Sequence, residues 1–156
     1  MGVGLKLGLE IQALTQAHLQ AIVLQPEQEA MREALDSGAF YASMAASPLP
    51  AYALLHEGEV MGCYGTFLLW QGRGMVWALL SRHAGRCMRA GCRIAKGYIG
   101  SVPLTRLEAY VRTDFKAGNQ WVRLLGFTRE GTMRRFFANG ADAYMYARVH
   151  EVECAV

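Results

Sequence analysis

Leu125-Gly126-Phe127, then Thr128-Arg129-Glu130-Gly131, then Ala143-Tyr144-Met145-Tyr146-Ala147-Arg148-Val149 is the stretch whose reading decides the fold. An amphipathic run from about Lys116 ends at Leu125, with Trp121, Leu124 and Leu125 expected on its inward side. Gly126 stops that helix, because glycine takes the left-handed conformation without strain. A short strand, an Arg-Glu-Gly turn and a closing strand follow. Two final strands are therefore expected near Phe127–Phe137 and Ala143–Val149, joined by Asn139-Gly140-Ala141-Asp142.

Working back, Leu104 to Val111 reads as a strand. Leu107, Ala109 and Val111 fall on one face and Glu108, Tyr110 and Arg112 on the other. Residues 84–99 form a helix ended by Gly100 and Pro103. On it Arg86, Arg89, Arg93 and Lys96 recur at intervals of three and four, opposite Cys87, Met88, Gly91, Ile94, Ala95 and Tyr98. Met75 to Leu80 is wholly apolar, the pattern of a buried central strand. Ala51–His56 and Val60–Trp70 flank Glu57-Gly58-Glu59 as a hairpin, and Gln71-Gly72-Arg73-Gly74 is a second turn.

Residues 5–13 alternate loosely and read as the first strand. Thr15 is the expected N-cap of a helix through Leu24. Pro26, with Glu27 and Glu29 at the positive end of the dipole, opens a second helix to about Leu35. A short helical stretch over Ala39–Ala46 ends before Ser47-Pro48-Leu49-Pro50. The expected order is β-α-α-β-β-β-α-β-α-β-β: a single α+β domain over 1–156, with a mixed, mostly antiparallel sheet flanked by helices.

The chain has 156 residues, 53% hydrophobic and 19% charged, which suits one packed core and excludes a disordered tail. A net charge of +3 accommodates a polyanionic cofactor but does not argue for nucleic acid, so no nucleic-acid partner is expected. No apolar run approaches the roughly 18 residues of a membrane helix, and no membrane partner is expected. The N-terminus lacks a signal-peptide pattern, and Lys6 stands where myristoylation after Gly2 requires Ser or Thr. Cys63, Cys87, Cys92 and Cys154 share no metal-ligand spacing, which reads as reduced thiols in a cytoplasmic protein without a metal. Cys63 and Cys154 read as packing residues, and Trp70, Trp77 and Trp121 as core.

Over nearly its whole length this order, with its Gly-Phe stop and closing Tyr-x-Tyr-Ala-Arg, resembles the GCN5-related N-acetyltransferase (GNAT) family. The resemblance implies the GNAT fold, acetyl-CoA or another acyl-CoA as cofactor, and acyl transfer to an amine by direct attack. The family's Gln/Arg-x-x-Gly-x-Gly/Ala signature falls on Arg82-His83-Ala84-Gly85-Arg86-Cys87. Arg82 and Gly85 match; Cys87 stands where Gly or Ala is usual. Independently of any family, a strand feeding a helix start exposes unpaired N–H groups that attract an anion, and Gly85 admits a pyrophosphate close to the backbone. An ordinary turn with solvated arginines fits the same residues.

The resemblance further assigns the backbone of Leu79, Leu80 and Ser81 to the pantetheine, in a cleft where Met75–Leu80 splays from Leu104–Val111. It leaves a gap as well. The family's Asn and Tyr positions fall on Phe115 and Val122, with Asn119 a possible substitute for the Asn contact. Candidate catalytic groups are Glu108, Tyr110 and Ser81, the last beside the thioester carbonyl; His83, Tyr144 and Tyr146 are further candidates, and each has a structural reading too. Ser81–Arg86 and Arg112–Phe127 are phrased like GNAT-like proteins of bacteriophages and prophages, some of them virion components. Two alternatives to an acyltransferase therefore stand: a catalytically silent virion or assembly protein, and a CoA-binding module. The acceptor, a small-molecule or peptide amine, and any homodimer or virion assembly partner stay open.

Overall fold

Strand β1 (Leu9–Ala13) leads into a helix whose start Thr15 fixes, as expected. The Thr15 side chain accepts from the His18 N–H, and the Thr15 N–H donates 3.1 Å to His18 Nδ1, a capping box with histidine in the place of Glu. The computed structural model describes residues 8–150. Gly2, Leu5, Leu7 and Cys154 lie outside the described residues.

Helix α1 (Gln16–Ala21) is shorter than expected. The Arg32 guanidinium donates to the carbonyls of Leu19, Gln20 and Ile22, so the helix end is satisfied by a side chain and the backbone is released into an extended connector. Pro26–Met31 is a 3₁₀ segment, followed by α2 (Arg32–Asp36) and α3 (Ala39–Ala45). Helical segments thus occupy all three stretches expected before β2, the second of them opening as a 3₁₀ turn; Gly38 separates the last pair at φ +83°.

The remaining elements are β2 (Tyr52–His56), β3 (Glu59–Trp70), β4 (Arg73–Leu80), α4 (Met88–Ser101), β5 (Arg106–Arg112), α5 (Lys116–Leu124), β6 (Thr128–Met133) and β7 (Ala143–Val149). A 3₁₀ turn, Ala84–Cys87, runs into α4. Seven strands join in the order β1-β2-β3-β4-β5-β7-β6. β4 and β5 are parallel, paired only over Arg73–Met75 against Arg106–Glu108; β1–β2, β2–β3, β5–β7 and β6–β7 are antiparallel. The sheet is therefore mixed and mostly antiparallel, in an α+β fold.

The chain gathers into two compact units: residues up to Phe67 with Trp77–Arg93, and Leu68–Val76 with the chain from Ile94 onward. In the first, Leu19, Ile22, Leu24 and Leu35 from the helical half pack with Ala53, Leu55, Val60, Cys63 and Leu79 from the strands. Burial pushes the Cys63 thiol up to about 12, so it packs as an inert apolar group. In the second, Leu107, Val122, Phe127, Tyr146 and Ala147 are buried. Among the described residues no helix is long and apolar enough to cross a membrane.

Four expectations need correction. Trp70 is 61% exposed rather than core, with the Arg73 guanidinium 4.0 Å from its ring centroid. Leu124 faces solvent, because α5 buries Gly118, Asn119 and Val122, and Leu125 follows on the same side. β4 is half-buried along most of its length rather than wholly buried. β6 stops at Met133, and Arg129-Glu130-Gly131 is a bulge inside it rather than a turn. Arg135, at φ +50°, donates its N–H to Asp142 and turns the chain away.

Gly65 on β3 lies against the Trp77 indole. A Cβ there would sit 2.8 Å from Ala51 Cβ and 2.9 Å from Trp77 Cζ2. Gly65→Ala should therefore lower stability by about 1–3 kcal/mol through overpacking. Urea unfolding reads this as a lower midpoint at unchanged slope; an unshifted midpoint would refute the close approach.

Candidate functional site

The turn after β4 is built by Ser81. Its buried hydroxyl accepts from the His83 N–H at 3.0 Å, and its carbonyl accepts from the Ala84 N–H at 3.0 Å. These bonds bend the chain into the 3₁₀ turn, whose start has no side-chain cap. Ala84 and Cys87 point inward; Arg82, His83, Gly85 and Arg86 are exposed. A Cβ built on Gly85 meets nothing within 4 Å, so this face is open to a ligand. No carboxylate pairs with Arg82 or Arg86 among the described residues, and the sequence holds no acidic residue between Glu59 and Glu108. His83 Nδ1 lies 2.8 Å from Glu59 Oε1. The Cys87 thiol is raised by burial, against the lowering effect of Arg86, and fills space.

The backbone just before the turn is less available than the resemblance implies. The Leu80 N–H donates to Gln28 Oε1 at 2.9 Å, and the Leu80 carbonyl accepts from the Gln25 N–H at 3.1 Å. The Ser81 N–H donates to the Met61 carbonyl and the Arg82 N–H to that of Val23, each at 2.9 Å. Of the three positions assigned to a pantetheine, Leu80 and the Ser81 N–H are engaged by the protein itself.

Glu108, in the second unit, is 1% exposed and surrounded by donors. Arg73 Nε and Nη2 reach its two oxygens at 2.9 and 2.8 Å, Arg106 Nε reaches Oε1 at 2.9 Å, and the Tyr110 hydroxyl donates to Oε2 at 3.1 Å. Arg106 also holds Glu130 through two bonds of 3.0 and 2.7 Å. Burial alone would raise the Glu108 carboxyl, but hydrogen bonds from Arg73, Arg106 and Tyr110 prevail and hold it below its ordinary value. A carboxylate so stabilised is a poor proton acceptor, so this geometry gives Glu108 an anchoring task rather than that of a base. Burial and then Glu108 raise the Tyr110 phenol, keeping it a donor. A cavity of about 390 Å³ opens here, lined by Trp70, Gly72, Arg73, Thr105, Arg106 and Glu108 among others.

Asn119 is also committed. Its Nδ2 donates to the Arg112 and Phe115 carbonyls at 2.9 and 2.8 Å, and its Oδ1 accepts from the buried Tyr146 hydroxyl at 2.6 Å. Both amide hydrogens are used, so Asn119 ties α5 to the end of β5 and to β7 and has no donor left for a cofactor. Tyr144 carries the Arg129 guanidinium 4.4 Å from its ring centroid. Sequence reasoning missed Gln28, Gln25 and the pairing of Arg73 with Glu108. Among the described residues no His, Cys, Asp and Glu cluster could hold a metal.

No family model and no curated protein matches the sequence. Solved structures do match in fold. An N-acetyltransferase from Staphylococcus aureus Mu50 aligns at TM-score 0.70 and 15% identity, over 90% of this chain and 98% of that one. A GNAT-family acetyltransferase from Streptococcus pneumoniae aligns at 0.65 and 16%, over 91% and 99%. The ribosomal L7/L12 α-N-protein acetyltransferase RimL, in complex with coenzyme A, aligns at 0.62 and 19%, over 96% and 98%. The fold is that of the GCN5-related N-acetyltransferases.

Replacing Glu108 by Gln leaves two arginines with a weaker acceptor and should cost about 1.5–3 kcal/mol at neutral pH. The folded carboxyl sits below its ordinary 4.5, so its contribution is present above that pH and lost as pH falls through and below it. Wild-type stability should accordingly drop more than that of Glu108→Gln between about pH 5 and pH 3. Parallel acid-denaturation curves for the two proteins would contradict this assignment.

Proposed function

We propose that this chain is an N-acyltransferase that takes acetyl-CoA, or another acyl-CoA, and passes its acyl group to an amine. One observation carries the reading: in this fold, β4 ends in an uncapped turn with an open Gly85 flanked by exposed Arg82 and Arg86. The CoA bound to the RimL relative, and the acetyl-CoA in a Salmonella typhimurium structure aligned at TM-score 0.70, support the same cofactor. The residues present fit a pyrophosphate there. Two exposed arginines supply positive potential, and no Cβ at position 85 obstructs approach.

The cofactor would bring the acyl group as an activated thioester. The turn orients it, and Arg82 and Arg86 neutralise its phosphates. Ser81 keeps the turn in shape through its bonds to His83 and Ala84. Glu108 holds Arg73, Arg106 and Tyr110 in place. The acceptor is a small-molecule or peptide amine, a class that includes the protein α-amine acted on by the RimL relative. A cytoplasmic location and a bacteriophage or prophage setting belong to the same reading. A second reading, a CoA-binding module without turnover, is favoured by one observation: the apolar Val122 and the fully bonded Asn119 leave neither of those two α5 positions with a proton to give.

Titration calorimetry with acetyl-CoA should show binding to the wild type, and at least ten-fold weaker binding to Gly85→Glu, whose carboxylate would face the pyrophosphate without disturbing the fold. No heat and no thermal shift at millimolar cofactor would sink both readings. Binding without free-thiol release across a panel of amines would select the second.

A further inference from the structure

Strand β4 has β5 as neighbour only as far as Met75. Beyond it the connector after α1 lies along Leu80–Arg82, where the Val23 carbonyl accepts from Arg82 N, Leu24 bridges Ser81 and Gln25 N donates to the Leu80 carbonyl. This short ladder cannot run further in backbone. A 3₁₀ segment begins at Pro26, whose fixed φ suits a helical start, and it carries the chain away from the strand edge. The next positions are met by a side chain instead: Gln28 Nε2 donates 2.8 Å to the Ala78 carbonyl, and Gln28 Oε1 accepts 2.9 Å from the Leu80 N–H. A carboxamide carries the same donor and acceptor as a peptide group, so it continues the ladder as a strand would. Gln25 Nε2 donates 3.0 Å to that same Oε1 and fixes which way the amide faces.

We propose that Gln28 is a positioning residue for the cofactor: through Ala78 and Leu80 it holds the strand end that feeds the Arg82–Cys87 turn, and so sets the orientation of the open Gly85 face and its flanking arginines that would meet the pyrophosphate. This inference rests on the acyl-CoA reading above. Gln28 touches no cofactor atom in it; it acts through the backbone. Glutamate would not substitute, since an ionised carboxylate cannot donate to the Ala78 carbonyl.

The test compares full-length wild type, Gln28→Ala and Gln25→Ala by calorimetry with acetyl-CoA and by hydrogen exchange at the Leu80 amide, well below each protein's melting temperature. Loss of Gln28 removes two bonds and should raise the acetyl-CoA Kd about ten-fold. Gln25→Ala, which removes only the orienting bond, should raise it less. Leu80 exchange should quicken in the same order, while amides in β7 keep their protection. Unchanged affinity with a lowered melting temperature would make Gln28 merely structural and overturn the proposal. Tighter binding would also overturn it, making the carboxamide a competitor for the strand edge. Should Gln28→Ala fail to fold, Gln25→Ala decides by the same two readouts. Wild type that does not bind acetyl-CoA defeats the cofactor reading and this inference together, whereas binding wild type with unaffected variants defeats this inference alone.

Discussion

A strand that loses its neighbour in mid-sheet must find other partners for its backbone, because a buried N–H or carbonyl without one costs about as much as a lost hydrogen bond. β4 meets that constraint after Met75. The connector Val23–Gln25 and the Gln28 side chain supply the partners, and the geometry of the first unit follows from it. α1 has to stop early so that its continuation can lie extended beside β4. Its open carbonyls must then be capped from elsewhere, which Arg32 does at Leu19, Gln20 and Ile22. Pro26 and the 3₁₀ segment follow at the point where the ladder ends.

In the second unit register plays the organising part. Parallel pairing sets Arg73 beside Arg106, and the two-residue period of a strand puts Glu108 and Tyr110 on the same face as Arg106. Two guanidinium groups and a phenol converge on one carboxylate whose burial would otherwise be unfavourable. The indole of Trp70 stacks on Arg73, and Glu130 engages both terminal nitrogens of Arg106. Glu108 is tolerated at 1% exposure because each of its oxygens accepts from two donors.

Features fixed by neighbours in sequence were legible. Thr15 caps a helix and Gly126, at φ +92°, ends one; both answer to chemistry within four residues. The succession of strands was legible for the same reason, and the Arg82–Cys87 turn could be placed because a strand–turn–helix junction is local. What stayed hidden depends on distant partners. Gln28 reads as a polar residue of a short helix, while its bonds reach residues 50 and 52 positions away. Asn119 offers an amide to any partner until Tyr146 is known to lie against it. Trp70 belongs to an apolar run, and periodicity names its face without saying whether anything covers that face. The alternation along β5 put Glu108 opposite Leu107 correctly, yet both faces proved buried there.

Seen together, the polar groups best suited to proton transfer are already employed. Glu108 is charge-stabilised by arginines, the Tyr146 hydroxyl is given to Asn119, and the Ser81 hydroxyl shapes the turn. An acyl transfer in such a setting would draw its rate from placement of the thioester and amine, for which orientation alone can supply several kcal/mol. The amine would have to arrive neutral, and its own basicity rather than an enzyme group would govern the pH dependence. A fold that spends two glutamine side chains on the strand end leading into that turn is consistent with that division of labour.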